Sequence, residues 1–260
     1  MRLRFHRILS LCLMMCLGFA VSLCRGESYE DAHAKLVAGN PAGLSVTLRL
    51  DKNAFFMGER MAGENDSWKL PQLIERYATK RILPNVIAVY QEHEGKVACD
   101  FAERFLGYWV KHDPEAGLAA LKRAALLRED TGCFQSVLGD VLSRYYSPAG
   151  EQLALSFLDD EDSRVVMNVL QLLSRQGSPA IADPLLTHLA SMSDDDEPPT
   201  HPYGYTNASI KKEILSCLMK RRDWELTEAQ KKTLYSLLKT DAHRAWFTQR
   251  FSAKPNEQKQ

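Results

Sequence analysis

The sequence predicts an all-α protein whose body is a row of repeated helix pairs, with a small β-hairpin appendage near the amino end. Three observations support this prediction: an apolar stripe that occurs four times, a capped turn that follows the stripes, and one stretch of alternating apolar and polar residues. The 260 residues suffice for one domain, or for a large domain with a small appendage.

Apolar stripes predict the first helix of each pair within the body of the chain, residues 67–251. Side chains at positions i, i+4, i+5 and i+8 lie on one face of an α-helix, because the helix has about 3.6 residues per turn. Apolar residues occupy these positions in four segments, 101–109, 137–145, 165–173 and 210–218. Each of these faces is therefore expected to pack into the core.

A capping residue and a proline predict the second helix of each pair. The side chain of Asp or Ser accepts a hydrogen bond from an unpaired N–H at the helix start, and proline at the first helical position lacks an N–H that would be unpaired anyway. Because one helix pair cannot bury its own apolar face, stacked pairs are expected, as in an α-solenoid. The capped starts are Asp113-Pro114, Ser147-Pro148, Ser178-Pro179 and the capping-box sequence from Thr227 to Gln230.

The segment 155–179 resembles a HEAT repeat of the bacterial HEAT-like type, which also occurs in phycobilin lyases. Its acidic turn, residues 159–162, precedes a helix that begins with valines and ends near Gly177 and Pro179. Asn168 occupies a position where such repeats usually carry a small residue. The resemblance is good over residues 151–190, fair over 98–150 and poor over 207–240. It implies a short right-handed α-solenoid of HEAT-like helix pairs with a binding role, and it names no ligand.

The segment 27–66 is expected to contain the β-hairpin. Residues 44–50 alternate apolar and polar side chains, which is typical of a strand, and residues 51–53 form a turn before an apolar stretch at 55–57. This pattern resembles the opening of the Ig-like modules of exported bacterial proteins, but about 40 residues are too few for a sandwich of roughly 100. An isolated hairpin is marginal in water, so we expect it to pack on the first helices; the alternative is an edge strand offered to a partner.

Residues 1–26 predict a secretion signal. Arg2, Arg4 and Arg7 precede an apolar run over residues 8–23, and small and polar residues follow it. The run is shorter than the roughly 20 residues that cross a bilayer comfortably. We therefore expect cleavage after Ser22 or Gly26 and a secreted or periplasmic protein with no membrane span after cleavage.

Two alternatives place the protein in the envelope in another way. One is a lipid-anchored protein modified at Cys24, although Leu23 stands where lipoprotein signals carry a small residue. The other is an uncleaved signal anchor, because an apolar run of this length can cross a locally thinned membrane.

The charge balance argues against a nucleic-acid binder, which would carry a basic excess. The chain has 33 basic and 33 acidic residues, and removal of residues 1–26 takes away four arginines, which leaves a formal charge of −4. Beyond the leader, no two of Cys99, Cys133 and Cys217 have C-x-x-C spacing. They are expected to be small buried residues, with a bridge between Cys99 and Cys133 as the alternative.

The candidate binding region is an insertion loop, residues 191–206, between the third and fourth repeats. In solenoids, insertions map to loops on one face, which is often the binding face. Carboxylates and aromatic side chains there suit a basic or carbohydrate partner; a solvated linker and weak binding of Ca²⁺ are the alternatives. These residues are Asp194, Asp195, Asp196, Glu197, His201, Tyr203 and Tyr205.

The expected function is that of an exported, non-catalytic HEAT-repeat protein that mediates protein–protein interaction or assembly in the cell envelope. The sequence contains no familiar catalytic or metal-ligating motif, so we expect no cofactor and no metal site. One alternative is an envelope enzyme whose site combines non-local residues such as His112, Asp113 and Tyr146. Another is a membrane-tethered lipoprotein adaptor. Residues 252–260 are predicted to be a disordered tail.

Overall fold

The computed structural model describes residues 29–43, 70–92, 94, 99–127, 134–193, 202–221 and 223–252. Over these ranges the chain is helical with short turns and contains no strand, which confirms the all-α class. The predicted signal (1–26), the predicted hairpin (44–57) and the tail after residue 252 lie outside the described residues. The helices are α1 (Tyr29–Val37), α2 (Leu70–Tyr77), α3 (Leu83–Glu92), α4 (Cys99–His112), α5 (Pro114–Leu127), α6 (Phe134–Arg144), α7 (Pro148–Leu155), α8 (Ser163–Gln176), α9 (Ala182–Ser191), α10 (Asn207–Lys220), α11 (Glu228–Leu237) and α12 (Asp241–Ser252).

The helices contact one another in a regular order. Helices α2, α4, α6, α8 and α10 form a series in which each member packs on the next. Their chain neighbours lie against this series: α3 and α5 contact α4, α7 contacts both α6 and α8, and α9 contacts α10. Contacts between α5 and α7 and between α9 and α11 join these neighbours to each other.

The four predicted apolar stripes lie in α4, α6, α8 and α10, and their side chains form the core. With one exception, every stripe residue is buried, which confirms the helical periodicity. The exception is Tyr145, the residue after α6, which is half-buried and whose hydroxyl donates to a buried carboxylate, described below. Helix α3 joins the same core through Tyr90, whose ring packs edge-to-face on Phe105 and Trp109 at centroid distances of 6.4 and 6.5 Å.

Helix α5 lies unusually close to α4. A Cβ atom at Gly117 would stand 2.5 Å from the backbone nitrogen of Val110, a distance that no side chain tolerates. The absence of a side chain at Gly117 therefore allows the two helix backbones to approach each other, which a larger residue would prevent.

The predicted helix starts are confirmed at three of four places. The Asp113 carboxylate accepts from the Ala116 N–H at 3.2 Å, and the Ser147 hydroxyl accepts from the Gly150 N–H at 3.1 Å. Pro114 and Pro148 are the first residues of α5 and α7. At the start of α11, the Thr227 hydroxyl accepts from the Gln230 N–H at 3.2 Å while the Gln230 side chain accepts from the Thr227 N–H at 2.9 Å, which is a complete capping box.

At the fourth place, Ser178 and Pro179 occupy the predicted N-cap and first positions, but of a short 3₁₀ turn, and the predicted capping bond from the Ser178 side chain is not made. The N–H and the hydroxyl of Ser178 both donate to the buried carboxylate of Glu151, each at 2.7 Å. These two bonds orient Ser178 toward Glu151, and the short 3₁₀ turn, Pro179–Ile181, precedes α9.

The amino-terminal segment contains a helix that the sequence analysis did not predict. Ala32 and Leu36, one turn apart, are fully buried on α1, which packs on α2. The helix is followed by Gly39, whose φ of 68° favours glycine, and a Cβ atom there would lie 2.6 Å from the Thr79 hydroxyl oxygen.

Among the helices in the described ranges, none combines the length and the apolar composition needed to span a membrane.

Candidate functional site

The insertion loop and the acidic turn meet at the start of α8. The Tyr205 N–H donates to the hydroxyl of Ser163, the first residue of α8, at 2.8 Å. At the other end of the insertion, the Ser193 carbonyl accepts from the Lys211 ammonium at 2.7 Å. Both described ends of the insertion are therefore tied to helices of the core, one to α8 and one to α10.

The turn between α7 and α8 is held by its own side chains. The Asp160 carboxylate accepts from the Asp162 N–H at 2.8 Å, and the Asp162 carboxylate accepts from the Arg164 N–H at 2.9 Å. The Arg164 guanidinium also pairs with Asp162, at 2.7 Å. Asp162 is therefore the N-cap of α8, and its charge interacts with the Arg164 guanidinium and the amino end of the helix.

A cavity of about 360 Å³ lies between this turn and the carboxyl end of α5. We call this region the turn surface and include in it the exposed tyrosines of the insertion, Tyr203 and Tyr205. At its edge, Leu126 is 57% exposed, and the next residue of α5, Leu127, is 47% exposed, so two neighbouring leucines face solvent at this end of the helix. The lining residues are Lys122, Leu126, Ser156, Phe157, Asp159, Asp160 and Glu161.

The electrostatic character of the turn surface is acidic. Three carboxylates, at positions 159 to 161, stand against the single ammonium of Lys122 in the described lining. The side chain of Asp159 is 89% exposed, and its Oδ1 lies 2.9 Å from Nδ1 of the largely buried His188. This contact fixes the position of the Asp159 carboxylate without removing it from solvent.

Two of the seven predicted binding residues belong to the turn surface. Tyr203 is 82% exposed and Tyr205 is also exposed, so both are accessible to a partner. Asp194, Asp195, Asp196, Glu197 and His201 lie outside the described residues. The sequence predicts only an inter-repeat turn for the acidic run 159–162, and no sequence pattern marks Leu126 or Lys122 as part of a site.

A second polar cluster, which we call the Glu75 cluster, joins α2, α4 and α6. The Glu75 carboxylate accepts from Arg104 at 2.7 Å, from Arg144 at 2.8 Å and from the Tyr145 hydroxyl at 2.8 Å. Burial, and then the hydrogen bond to Glu75, raise the pKa of Tyr145 far above its ordinary value, so its hydroxyl remains a donor.

The Glu75 cluster depends on a glycine in α4. A Cβ atom at Gly107 would lie 2.5 Å from Glu75 Oε1 and 3.2 Å from a guanidinium nitrogen of Arg144. Arg144 also pairs with Glu103 at 2.5 Å, so each charged group in the cluster has a partner of opposite sign. With Glu75 buried at its centre and three helices joined by hydrogen bonds to its carboxylate, the cluster has the arrangement of a structural clamp.

A third cluster surrounds the buried carboxylate of Glu151 on α7. The Tyr146 hydroxyl donates to it, as do the two donors of Ser178. Burial alone would raise the pKa of Glu151, but these hydrogen bonds outweigh it and the pKa is lowered. For Tyr146, burial and the bond to Glu151 raise the pKa.

The three residues of the enzyme alternative are held by different partners. Asp113 caps α5, and Tyr146 donates to Glu151. The His112 ring packs against Tyr108 at a centroid distance of 4.6 Å and hydrogen-bonds to the Ala78 backbone. Burial, followed by the nearby charge of Lys111, lowers the pKa of His112. The hydrogen bonds of Asp113 and Tyr146 are thus already used in holding the fold together.

The described part of the chain contains no group of three or more His, Cys, Asp or Glu side chains that could hold a metal ion. Cys217 is free and buried, and burial raises its pKa to about 12, which makes the thiol unreactive. The alternative bridge between Cys99 and Cys133 involves side chains outside the described residues.

Comparison of the chain with protein-family models, with curated proteins and with solved structures finds no match.

Proposed function

We propose that the protein is an exported HEAT-like α-solenoid that binds a partner protein in the cell envelope and has no catalytic activity of its own. The observation that carries this proposal is the turn surface, where an insertion and an inter-repeat turn converge and present exposed aromatic, aliphatic and acidic side chains. Exposed apolar groups among polar ones are characteristic of protein interaction sites.

The order in which the helices pack on one another supports the proposed solenoid. In a stack of helix pairs, the first helix of each pair packs on the first helix of the next, and the second helices form a parallel layer. The series α2, α4, α6, α8 and α10 and the contacts α5–α7 and α9–α11 have this pattern. Contacts of this kind join near neighbours in the chain, so an insertion between two pairs can be accommodated without disturbing the rest.

The polar clusters support binding rather than catalysis. Groups with shifted pKa values often mark catalytic sites, but they do so when they converge on an accessible pocket. Here Tyr145, Tyr146 and Glu151 are hydrogen-bonded inward, in two separate clusters that tie helices together. The cavity of the turn surface is lined instead by carboxylates, a lysine and apolar groups.

The test is recovery of the partner by affinity purification of the tagged full-length chain from its own host after reversible crosslinking. The variant to compare replaces residues 194–203 by Gly and Ser at equal length. It keeps Ser193, which accepts from Lys211, and Thr206, whose hydroxyl accepts from the Ser209 N–H at 3.3 Å to cap α10. The helical core should therefore fold normally, which circular dichroism would verify.

We expect one protein to be recovered in stoichiometric amount with the wild type and to be strongly reduced with the loop variant. The matched control carries Glu228→Gln and Asp241→Asn, which remove two exposed carboxylates from α11 and α12, and it should recover the partner fully. Recovery of no protein with any of the three chains would contradict the proposal.

The intact mass of the purified chain tests the export part of the proposal. Cleavage after Ser22 or after Gly26 gives two distinct masses, a retained leader gives the full mass, and lipid attached at Cys24 adds the mass of the acyl groups. An uncleaved, unmodified chain found in the cytoplasm would contradict export.

A further inference from the structure

The cavity of the turn surface combines apolar groups with an acidic rim. Phe157, which is buried, and Leu126, at the exposed edge, supply the apolar groups; the carboxylates of Asp159, Asp160 and Glu161 form the rim, and Lys122 is the one cation of the lining. Its volume of about 360 Å³ is at the small end of the range of binding pockets, which is enough for one or two side chains of a partner. A site of this composition would reject an acidic ligand and would leave a purely apolar one facing carboxylates.

The helix ends at this place favour a cation. Helix α5 ends at the cavity, and the carbonyl end of a helix carries a partial negative charge. No basic residue lies in the last turn of α5, and Lys122, earlier in the same helix, supplies the single ammonium of the lining against three carboxylates. The opposite, positive pole is that of α8, but Asp162 already caps it.

Lysine and arginine have the two chemical features that this cavity matches. Their aliphatic stems pack on apolar surface while their charged heads stay in water or reach an anion. A stem packed on Leu126 would place its head among carboxylates, one of which, Asp159, is held in position by His188. Tyr203, exposed on the insertion, offers an aromatic face for a further cation.

We propose that the turn surface binds a segment of the partner protein that carries lysine or arginine next to an aliphatic residue. This proposal rests on the proposed function and adds the chemistry of the partner and the place where it binds.

The first test uses the mature chain purified from its host and a fluorescein-labelled peptide that contains lysine and leucine spaced by glycine and serine. Two matched peptides replace every lysine by glutamate or every leucine by serine. Fluorescence anisotropy should show that the lysine–leucine peptide binds most tightly. Its affinity should decrease with added salt, because Asp159 and Glu161 are exposed and their charges are therefore screened.

Two variants locate the binding. Asp159→Asn with Glu161→Gln removes two charges but keeps an oxygen that can accept from His188, and Leu126→Ser removes the exposed apolar group. Each should weaken binding by about tenfold, as expected for loss of two rim charges or one aliphatic contact. The Glu228→Gln and Asp241→Asn control should bind like the wild type. Equal binding by all variants, or equal binding of the glutamate peptide, would overturn the proposal.

A crosslinking experiment separates this proposal from the proposed function. A photoreactive phenylalanine analogue is placed at Leu126, at Tyr203 or, as a distant control, at Tyr235, which is exposed on α11. A protein crosslinked from positions 126 and 203, and lost from 126 in the double charge variant, supports both proposals. Crosslinking from position 203 alone overturns the proposed cavity site and leaves the proposed function standing. Crosslinking from none of the three positions contradicts both.

Discussion

Glu75 and Asp159 show how one chemical group serves two purposes in this molecule. The side chain of Glu75 is 4% exposed and accepts hydrogen bonds from Arg104, Arg144 and Tyr145. The side chain of Asp159 is 89% exposed and touches His188. A buried carboxylate must be fully paired, whereas an exposed one remains available to a partner. Burial and partners, rather than residue type, distinguish the clamp from the candidate binding surface.

The largest effect on stability is expected from substitution of Glu75. Glu75→Gln leaves Arg104 and Arg144 without the carboxylate that both contact, and it should lower the free energy of unfolding by about 2–4 kcal/mol. Urea denaturation followed by circular dichroism measures this loss. Glu228→Gln, an exposed carboxylate on α11, is the matched control and should change stability by less than about 0.5 kcal/mol. If the two variants behaved alike, the Glu75 cluster would not be a clamp.

The next largest effect on stability is expected when the space beside the Glu75 carboxylate is filled. Gly107→Ala places a Cβ atom 2.5 Å from Glu75 Oε1 and forces the ion pairs to move. The cost of this overpacking should exceed the gain in helix propensity, so stability should fall by about 1–2 kcal/mol.

Gly139 on α6 provides the matched control for Gly107. A Cβ atom there meets only atoms of Asn168 at 3.7 and 3.8 Å, which is ordinary contact. Gly139→Ala should therefore raise stability by about 0.5–1 kcal/mol. The two substitutions are expected to have opposite signs in the same denaturation experiment. Stabilisation by both would show that Glu75 can relocate without loss.

The sequence predicts the helices because their signals are local. A stripe that repeats with the helical period and a capping residue with its proline both lie within a few residues of the element they define. Ser178 is not determined by local sequence in this way. Its sequence is typical of a helix cap, but its hydroxyl donates to the carboxylate of Glu151, 27 residues earlier in the chain.

The polar clusters could not be predicted for the same reason. Arg104 and Arg144 are 29 and 69 residues from Glu75, and no local pattern marks them as its partners. The turn surface, the candidate binding surface, is an intermediate case. The composition of the insertion marked Tyr203 and Tyr205, but the contact of Tyr205 with Ser163, 42 residues away, is what connects the insertion to the acidic turn. Helix α1 is not evident from the sequence because it is short, and among its residues of described burial Ala32 and Leu36 are the apolar ones that reach the core.

A smaller effect on stability is expected when the pH is lowered. The folded state lowers the pKa of His112 below the ordinary 6.5, through burial and then through Lys111 and Lys80. Below pH 6.5 the unfolded chain therefore binds more protons at this position than the folded one, and the free energy of unfolding should fall as the pH falls. Well above pH 6.5 the imidazole is neutral in both states and contributes no pH dependence.

His112→Asn tests this prediction, because the asparagine amide can keep the hydrogen bond to Ala78 without titrating. Denaturation at neutral and at mildly acidic pH should show a smaller loss of stability for the variant than for the wild type. An unchanged pH dependence would assign the acid sensitivity to other groups.

The smallest effect on stability is expected where the effect on function should be largest. Asp159→Asn with Glu161→Gln should change the free energy of unfolding by less than about 0.5 kcal/mol, because both side chains face solvent and the asparagine can still accept from His188. The same variant should lose the partner in the affinity purification. Together with Glu75→Gln, this variant tests the comparison of the two carboxylates. Glu75→Gln should lower stability, and the double variant should weaken binding. If the double variant were destabilised, Asp159 and Glu161 would contribute to folding stability. The exposed fraction of a carboxylate would then not distinguish a structural role from a binding role in this protein.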